Sequence, residues 1–336
     1  MTEILNTKFH KLGGLLLLIL LSCLFVWLSI VLGYTKTSWH TAMEAFQNFN
    51  GSNEHIIIRE SRLPRSIVGM VVGGSLAAAG LLLQAITRNP VASPEFFGIN
   101  AGAGFFIVVA VTFFGISSIE QFMWLALAGG SLSGIAVYAL ASAGRGGMTP
   151  VKLTLAGAVM AALFASLTQG LLVMNEKALE EVLFWLAGSV EGRKLSMLAD
   201  VLPFITVGII GAFLLSRQLN TFLLGDDVAA GLGQKTILQK LLASLCVILL
   251  AGGSVAIAGP IGFIGIVIPH FAKFLAGNNH YWLIPYSFLL GGILLNAADI
   301  LARYVIMPEE VPVGIVTAMI GAPFFIYIAR RGHFKG

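Results

Sequence analysis

Long apolar runs alternate with short polar joints along this chain. The runs fall at 13–33, 66–86, 96–115, 121–143, 151–174, 197–216, 236–258, 261–277, 282–303 and 313–329. Each is close to the roughly 20 residues that a helix needs to cross a hydrocarbon layer about 30 Å thick. The pattern predicts an all-α polytopic membrane protein with about ten transmembrane helices. The first run exceeds the usual length of a cleaved leader's apolar region, and Gly33-Tyr34-Thr35 is a poor cleavage site, so a retained first span is expected. Gly252-Gly253, Gly259-Pro260 and Gly262 interrupt the seventh and eighth runs and predict a tight turn near a membrane face.

Composition removes the soluble alternative. Of 336 residues, 57% are hydrophobic and 11% charged, against about 25% charged in soluble domains. Too few charges remain to cover a water-facing surface, so residues 1–336 read as one transmembrane domain. Cys23 and Cys246 lie inside apolar runs, with no disulfide or zinc spacing. The net charge of +4 is scattered, which argues against nucleic-acid binding.

Sidedness explains the charge better. With both termini cytoplasmic, the inner segments hold Lys8, Lys11, Arg88, Arg145, Lys152, Arg217, Lys235, Lys240, Lys273, Arg330, Arg331 and Lys335. Only Glu3, Glu95, Asp226 and Asp227 oppose them there, as the positive-inside rule asks. Arg59, Arg62 and Arg65 fall on the disfavoured side. Two outer segments, 34–65 and 175–196, are long enough to fold, the second as an amphipathic interfacial helix. Segment 217–235 is the only sizeable inner loop.

No catalytic or metal-binding signature is present, and no Gly-x-x-x-x-Gly-Lys-Ser/Thr loop to cradle ATP phosphates. A pump built on this chain would draw energy from another subunit or an ion gradient. The spans hold almost no ionisable residue near mid-depth, which disfavours ion-coupled carriage, and no catalytic pair supports an intramembrane enzyme. Pro64 suits the first turn of a helix, and Arg62 and Arg65 are three apart on one face. They read either as interfacial snorkelling or as a docking site for acidic residues. Asp299 and Arg303, at i and i+4, read as a local salt bridge or as part of the same outer basic patch. In Gly225-Asp226-Asp227-Val228-Ala229-Ala230-Gly231-Leu232-Gly233 the aspartates suit a helix start and the glycines its end. That short helix is either a plain loop element or one gripped by another protein.

Together these segments resemble one family. The matching blocks include Arg62-Leu63-Pro64-Arg65, Thr87-Arg88-Asn89-Pro90-Val91-Ala92-Ser93-Pro94, Leu155-Ala156-Gly157 and Trp185-Leu186-Ala187-Gly188-Ser189. Gly225 to Gly233, Ala258 to Gly265, Pro269-His270, Ala298 to Arg303 and Pro312 to Pro323 continue the series, covering about residues 55–330. The chain is similar to the permease subunits of ATP-binding-cassette importers for iron–siderophore complexes, haem and cobalamin, the FecCD family with the type II importer fold. The resemblance implies a multi-pass permease of the bacterial cytoplasmic membrane that performs no chemistry and binds no cofactor. Iron–siderophore complexes are its expected substrate, with haem or cobalamin as the alternative. It implies as partners a second permease subunit, identical or paralogous, and two copies of a cytoplasmic ATPase carrying ATP and magnesium. An extracytoplasmic substrate-binding protein completes the set. Carried over by position, Arg62, Arg65 and Arg303 would meet acids of the binding protein. Gly225 to Gly233 would form the coupling helix, and Asn89, Pro90, Val91, Thr149, Pro150 and Val151 would lie at the cytoplasmic gate.

Overall fold

The structure is a computed structural model that describes residues 4–35, 37–143 and 148–330. Four charged residues used in the sidedness reading, Glu3, Arg145, Arg331 and Lys335, lie outside the described residues. In chain order the elements are α1 (Lys8–Val31), α2 (Trp39–Gln47), α3 (Asn53–Ile56), a π-helical stretch (Ile57–Arg62), α4 (Leu63–Thr87), a 3-10 turn (Pro94–Phe97) and α5 (Ile99–Phe114). Then come α6 (Ile119–Ser142), α7 (Pro150–Met174), α8 (Glu176–Leu186), α9 (Leu195–Leu214), α10 (Ser216–Phe222) and α11 (Asp226–Gly231). The last are α12 (Thr236–Ala258), α13 (Ile264–Ala276), α14 (His280–Val305) and α15 (Val313–Arg330).

All ten apolar runs contain a helix. Seven helices, Lys8–Val31, Asn53–Thr87, Ile119–Ser142, Pro150–Met174, Leu195–Leu214, Thr236–Ala258 and His280–Val305, are long and apolar enough to cross a membrane. The runs at 96–115, 261–277 and 313–329 hold shorter apolar helices. The core centres on α4, almost wholly buried between α12, α13 and α14. Its crossing with α14 is tight because Gly73 and Gly291 face each other: a Cβ on Gly73 would strike the Gly291 carbonyl. Backbones thus approach as they do at small-residue crossings in lipid. At the other extreme, α7 is buried only at Leu153, Gly157 and Leu172 and presents Val151, Leu155, Val159, Leu163 and Leu167 outward.

One local expectation holds and one is corrected. Pro64 lies in the first turn of α4, where its missing N–H is tolerated, and the helical course runs unbroken from Asn53 to Thr87. The π-helical stretch before it changes the register, so the Leu63 N–H donates to the Ile58 carbonyl, five residues back. The turn after α12 does not sit at a membrane face. Helix α13 has 13 residues and rises only about 20 Å, and it begins with Gly265 packed against Gly80 in the interior of α4. The turn's polar backbone is satisfied inside the bundle. The Phe263 N–H donates to the Glu95 carboxylate at 2.8 Å, and Ser189 N–H to the Ala258 carbonyl at 2.8 Å.

Candidate functional site

One end of the bundle holds a cleft of about 570 Å³ bordered by Tyr34, Arg62, Arg65, Arg303, Glu191 and Glu310. The chain builds it from three places. Helix α14 presents Asp299 and Arg303 one turn apart, the π-helical stretch and first turn of α4 carry Arg62 and Arg65, and the segment before α15 brings Glu310.

The arginines do not form an exposed basic patch. Arg62, Arg65 and Arg303 are 5%, 6% and 2% exposed. Arg65 Nε donates to both carboxylate oxygens of Asp299 at 2.9 Å, and its Nη2 to Oδ1 at 2.7 Å. Its Nη1 reaches Glu310. Arg303 Nη2 pairs with the second oxygen of Asp299, so the local salt bridge at i, i+4 is present. Two guanidinium groups face two carboxylates, and this quartet is neutral. Arg62 stands apart: its hydrogen bonds go to the carbonyls of Ile30, Val31 and Thr35 and the hydroxyl of Thr37, all neutral oxygens.

Those carbonyls have a common origin. The last turn of any helix leaves its C=O groups without intrahelical partners, and hydrocarbon supplies no water to satisfy them. Helix α1 ends at Val31. Arg303 Nη1 donates to Ser29 O at 2.6 Å and Leu32 O at 2.7 Å, while Arg62 Nη1 donates to Val31 O at 2.8 Å and Ile30 O at 3.2 Å. Cations also suit a helix C-terminus electrostatically. Two arginines from distant helices therefore finish α1. Arg59 lies on the outer part of the same segment, donating to Phe46 O at 3.2 Å with its guanidinium 4.8 Å above the Phe49 ring.

The neighbouring segment between α8 and α9 carries Glu191 and Arg193. Desolvation, and after it the charges around it led by Glu310, raises Glu191 above the usual carboxylate range. Burial lowers the Arg193 guanidinium to about 10, and its Nε donates to Ser189 O at 3.3 Å. Helix α8 is amphipathic as expected, with Val182 and Trp185 inward and Leu183 and Phe184 outward.

The candidate gate residues lie at the other end of α4. Asn89 folds its own loop: its Oδ1 accepts from Val91 N at 3.1 Å, and its carbonyl from Ala92 N at 3.1 Å. Thr149 caps α7, its hydroxyl accepting from Lys152 N at 3.3 Å, and Pro150 follows in the first turn. Val151 is exposed. A cavity of about 230 Å³ brings Asn89 and Val91 together with Thr154, not with Thr149, Pro150 or Val151. Thr154 was not among the candidates. It is one turn beyond Pro150 on α7, a spacing that places it on the same face.

The loop at 217–235 is helical at Asp226–Gly231. Gly225 is the N-cap, so the aspartates occupy the first turn and do not cap it. Gly233, with φ +80°, takes the left-handed conformation that ends the turn. Ala229 is fully buried, whereas Leu224, Val228 and Leu232 are exposed. Sequence reasoning could not separate Ala229 from Ala230, since both are small.

Comparisons with known proteins bear on the family and the fold. A model of the FecCD transport family matches residues 17–331. A relative from Bacillus subtilis (strain 168), described as a probable siderophore transport system permease protein, is 58% identical over 304 residues, covering 90% of this chain and 91% of that protein. The ferric enterobactin transport system permease protein of Escherichia coli (strain K12) is 40% identical over 325 residues, 97% of this chain and 96% of the relative. A solved structure of a metal-chelate type ABC transporter in an inward-facing conformation superposes with a TM-score of 0.82 at 29% identity, covering 95% of this chain and 99% of that one. With ten apolar helices, near full-length coverage by the family model and close relatives of the same length, this multi-pass membrane protein belongs to the FecCD transport family.

Proposed function

We propose that this chain is the permease subunit of an ATP-binding-cassette importer that carries iron–siderophore complexes across the cytoplasmic membrane. The observation that carries the reading is the 58% identity, over nine-tenths of both chains, to a siderophore system permease. Both termini are cytoplasmic in this proposal. A second permease, identical or paralogous, covers the nearly bare apolar face of α7. Two copies of a cytoplasmic ATPase supply the hydrolysis, with ATP and magnesium held there and no cofactor on this chain.

The binding protein docks over the outer cleft in this reading. Arg65 and Arg303 are already balanced by Asp299 and Glu310, which leaves Arg62 as the one of these three arginines without a carboxylate partner among the described residues. A partner carboxylate entering the cleft would pair with Arg62 and compete with Glu310 for Arg65. At the inner end, Gly225 to Gly233 serves as the coupling segment, and exposed Leu224, Val228 and Leu232 offer the ATPase an apolar contact. Asn89, Pro90, Val91, Thr149, Pro150 and Val151 remain the proposed gate, to which Thr154 is added by the shared cavity.

Proteoliposomes test the assignment. The chain is reconstituted with its ATPase, binding protein and any partner permease, and uptake of radiolabelled iron–siderophore is followed. Uptake requiring ATP on the ATPase side supports the proposal. Uptake driven by an ion gradient without ATP would refute it, and competition by haem or cobalamin in place of ferric siderophores would move the substrate to another class.

A further inference from the structure

A second cavity, of about 430 Å³, adjoins the cleft at the same end of the bundle, and the two share Phe184, Glu191 and Glu310. Its apolar wall comes from Ile119 and Phe122 at the start of α6 and from Trp185 on α8. Arg193 is the only cation among the described residues that line it.

The loop between α8 and α9 holds that arginine in place. Ser189 N–H donates to Ala258 O at the end of α12, and Ser189 Oγ accepts from Glu191 N at 3.1 Å. Gly192 turns the chain with φ +67°, a conformation that side chains resist. Arg193 Nε then donates back to Ser189 O at 3.3 Å. That bond uses Nε alone. Nη1 and Nη2 have no hydrogen bond or ion pair among the described residues. The side chain is 7% exposed and lines the cavity, so its open donors face that space. By contrast, the Nη atoms of Arg62, Arg65 and Arg303 all hold oxygens already. The neighbouring Lys194 is taken too, by Glu120 on α6 at 3.6 Å. Burial without an acceptor is costly for a guanidinium, so Arg193 is poised for an acceptor brought from outside the chain.

On the importer reading, which places the binding protein over this end, we propose that Arg193 receives an acidic side chain of that protein in this cavity, with an apolar neighbour of the acid packing on Phe184. The chemistry selects this occupant. Nη1 and Nη2 form a planar fork that grips one carboxylate by two parallel bonds. Phe184 is exposed where the two cavities meet and gives a partner side chain an apolar seat. Glu181 and Glu191 border the same cavity, so a small free anion would meet repulsion with nothing to offset it. A carboxylate carried on a protein arrives with the rest of an interface, and Glu310 stays engaged by Arg65.

The test uses the chain with its ATPase and any partner permease in nanodiscs, and follows association and dissociation of the binding protein by biolayer interferometry. Arg193→Met keeps the stem and removes the fork. Dissociation should quicken by roughly thirtyfold or more, the loss expected when one member of a buried charge pair is removed. Arg193→Lys keeps the charge and should fall between Arg193→Met and the wild type. Equal loss in the two variants would mean that the arginine only ties down its loop, and would overturn the proposal. Unchanged dissociation in Arg193→Met beside normal binding by the wild type would overturn it and leave the importer reading intact, whereas no binding by the wild type would sink both. The same dependence on Arg193 is expected with binding protein free of iron chelate. Dependence seen only with the loaded protein would assign the guanidinium to the chelate and overturn the proposal. Phenylglyoxal supplies a readout on the unaltered protein: it should modify Arg193 ahead of Arg62, Arg65 and Arg303, and docking should block it. Modification of Arg193 undiminished by the docked binding protein would overturn the proposal as well.

Discussion

Asp299→Asn is the sharpest test of how the cleft is held together. The carboxylate is 1% exposed and serves two arginines at once. Asparagine keeps the shape but removes the charge, and it turns an N–H₂ group toward guanidinium donors that already point at it. Glu310 then balances one cation, and the other is left buried without a counter-ion. Removing one partner of a buried ion pair costs about 3–5 kcal/mol, and this partner is shared, so the lower figure is a floor. Set against a folding stability of about 5–15 kcal/mol, the loss is a fifth of the total or more. Equilibrium unfolding in mixed micelles, followed by circular dichroism, measures it. The double variant Arg65→Met with Asp299→Leu restores charge balance, leaving Arg303 with Glu310. It should cost less than the sum of its single changes by at least 1 kcal/mol. A loss below about 1 kcal/mol for Asp299→Asn, or strict additivity in the cycle, would show that the quartet is not electrostatically coupled.

Four further outcomes follow from the same geometry. Glu310→Gln releases Arg65 Nη1 and should raise the association rate of the binding protein severalfold at low salt; a slower rate in stopped-flow mixing would remove the competition argument. Gly80→Ala sets a methyl against the Gly265 backbone and should cost about 1–3 kcal/mol with loss of transport; wild-type stability would mean that α13 is free to shift. Glu95→Ala leaves the Phe263 N–H without its acceptor, a penalty of about 1–3 kcal/mol, and hydrogen exchange should rise at the start of α13, with unchanged exchange speaking against the cap. Leu232→Asp should abolish co-purification of the ATPase with the membrane fold intact, and a normal yield of the complex would place the coupling contact elsewhere.

The ten helices were legible because lipid imposes a length and a polarity on every span, and even 16 residues at α5 and 13 at α13 leave an apolar trace. The arginines were legible for the opposite reason, as violations of the charge rule. What they bind was not. Arg62 and Arg303 find carbonyls of residues 29–32, and a backbone acceptor has no identity in sequence. Glu310 was visible only as one more outer acid, because its pairing with Arg65 spans 245 positions. The depth of the turn at 259–263 was hidden too. Glycine and proline announce a turn but not where in the membrane it lies, and that is settled by Glu95 reaching it from another loop. At the inner loop both alanines look alike on paper, and packing alone makes Ala229 a structural residue, so a bulky change there would break the loop before it reached a partner.

The finishing of α1 by Arg62 and Arg303 bears on how the protein is made. During synthesis α1 enters the bilayer first, and the residues that complete its last turn arrive tens and then hundreds of positions later. Until α14 is inserted, Ser29 and Leu32 lack their guanidinium partner. The C-terminal end of α1 therefore sits in an unfinished state through most of biogenesis, exposed to alternative depths and tilts. The nascent chain stays adjustable at its first helix and locks only near completion. Ribosome-bound intermediates stalled before Arg303 should show residues near Leu32 accessible to aqueous thiol reagents, and those stalled beyond it should not.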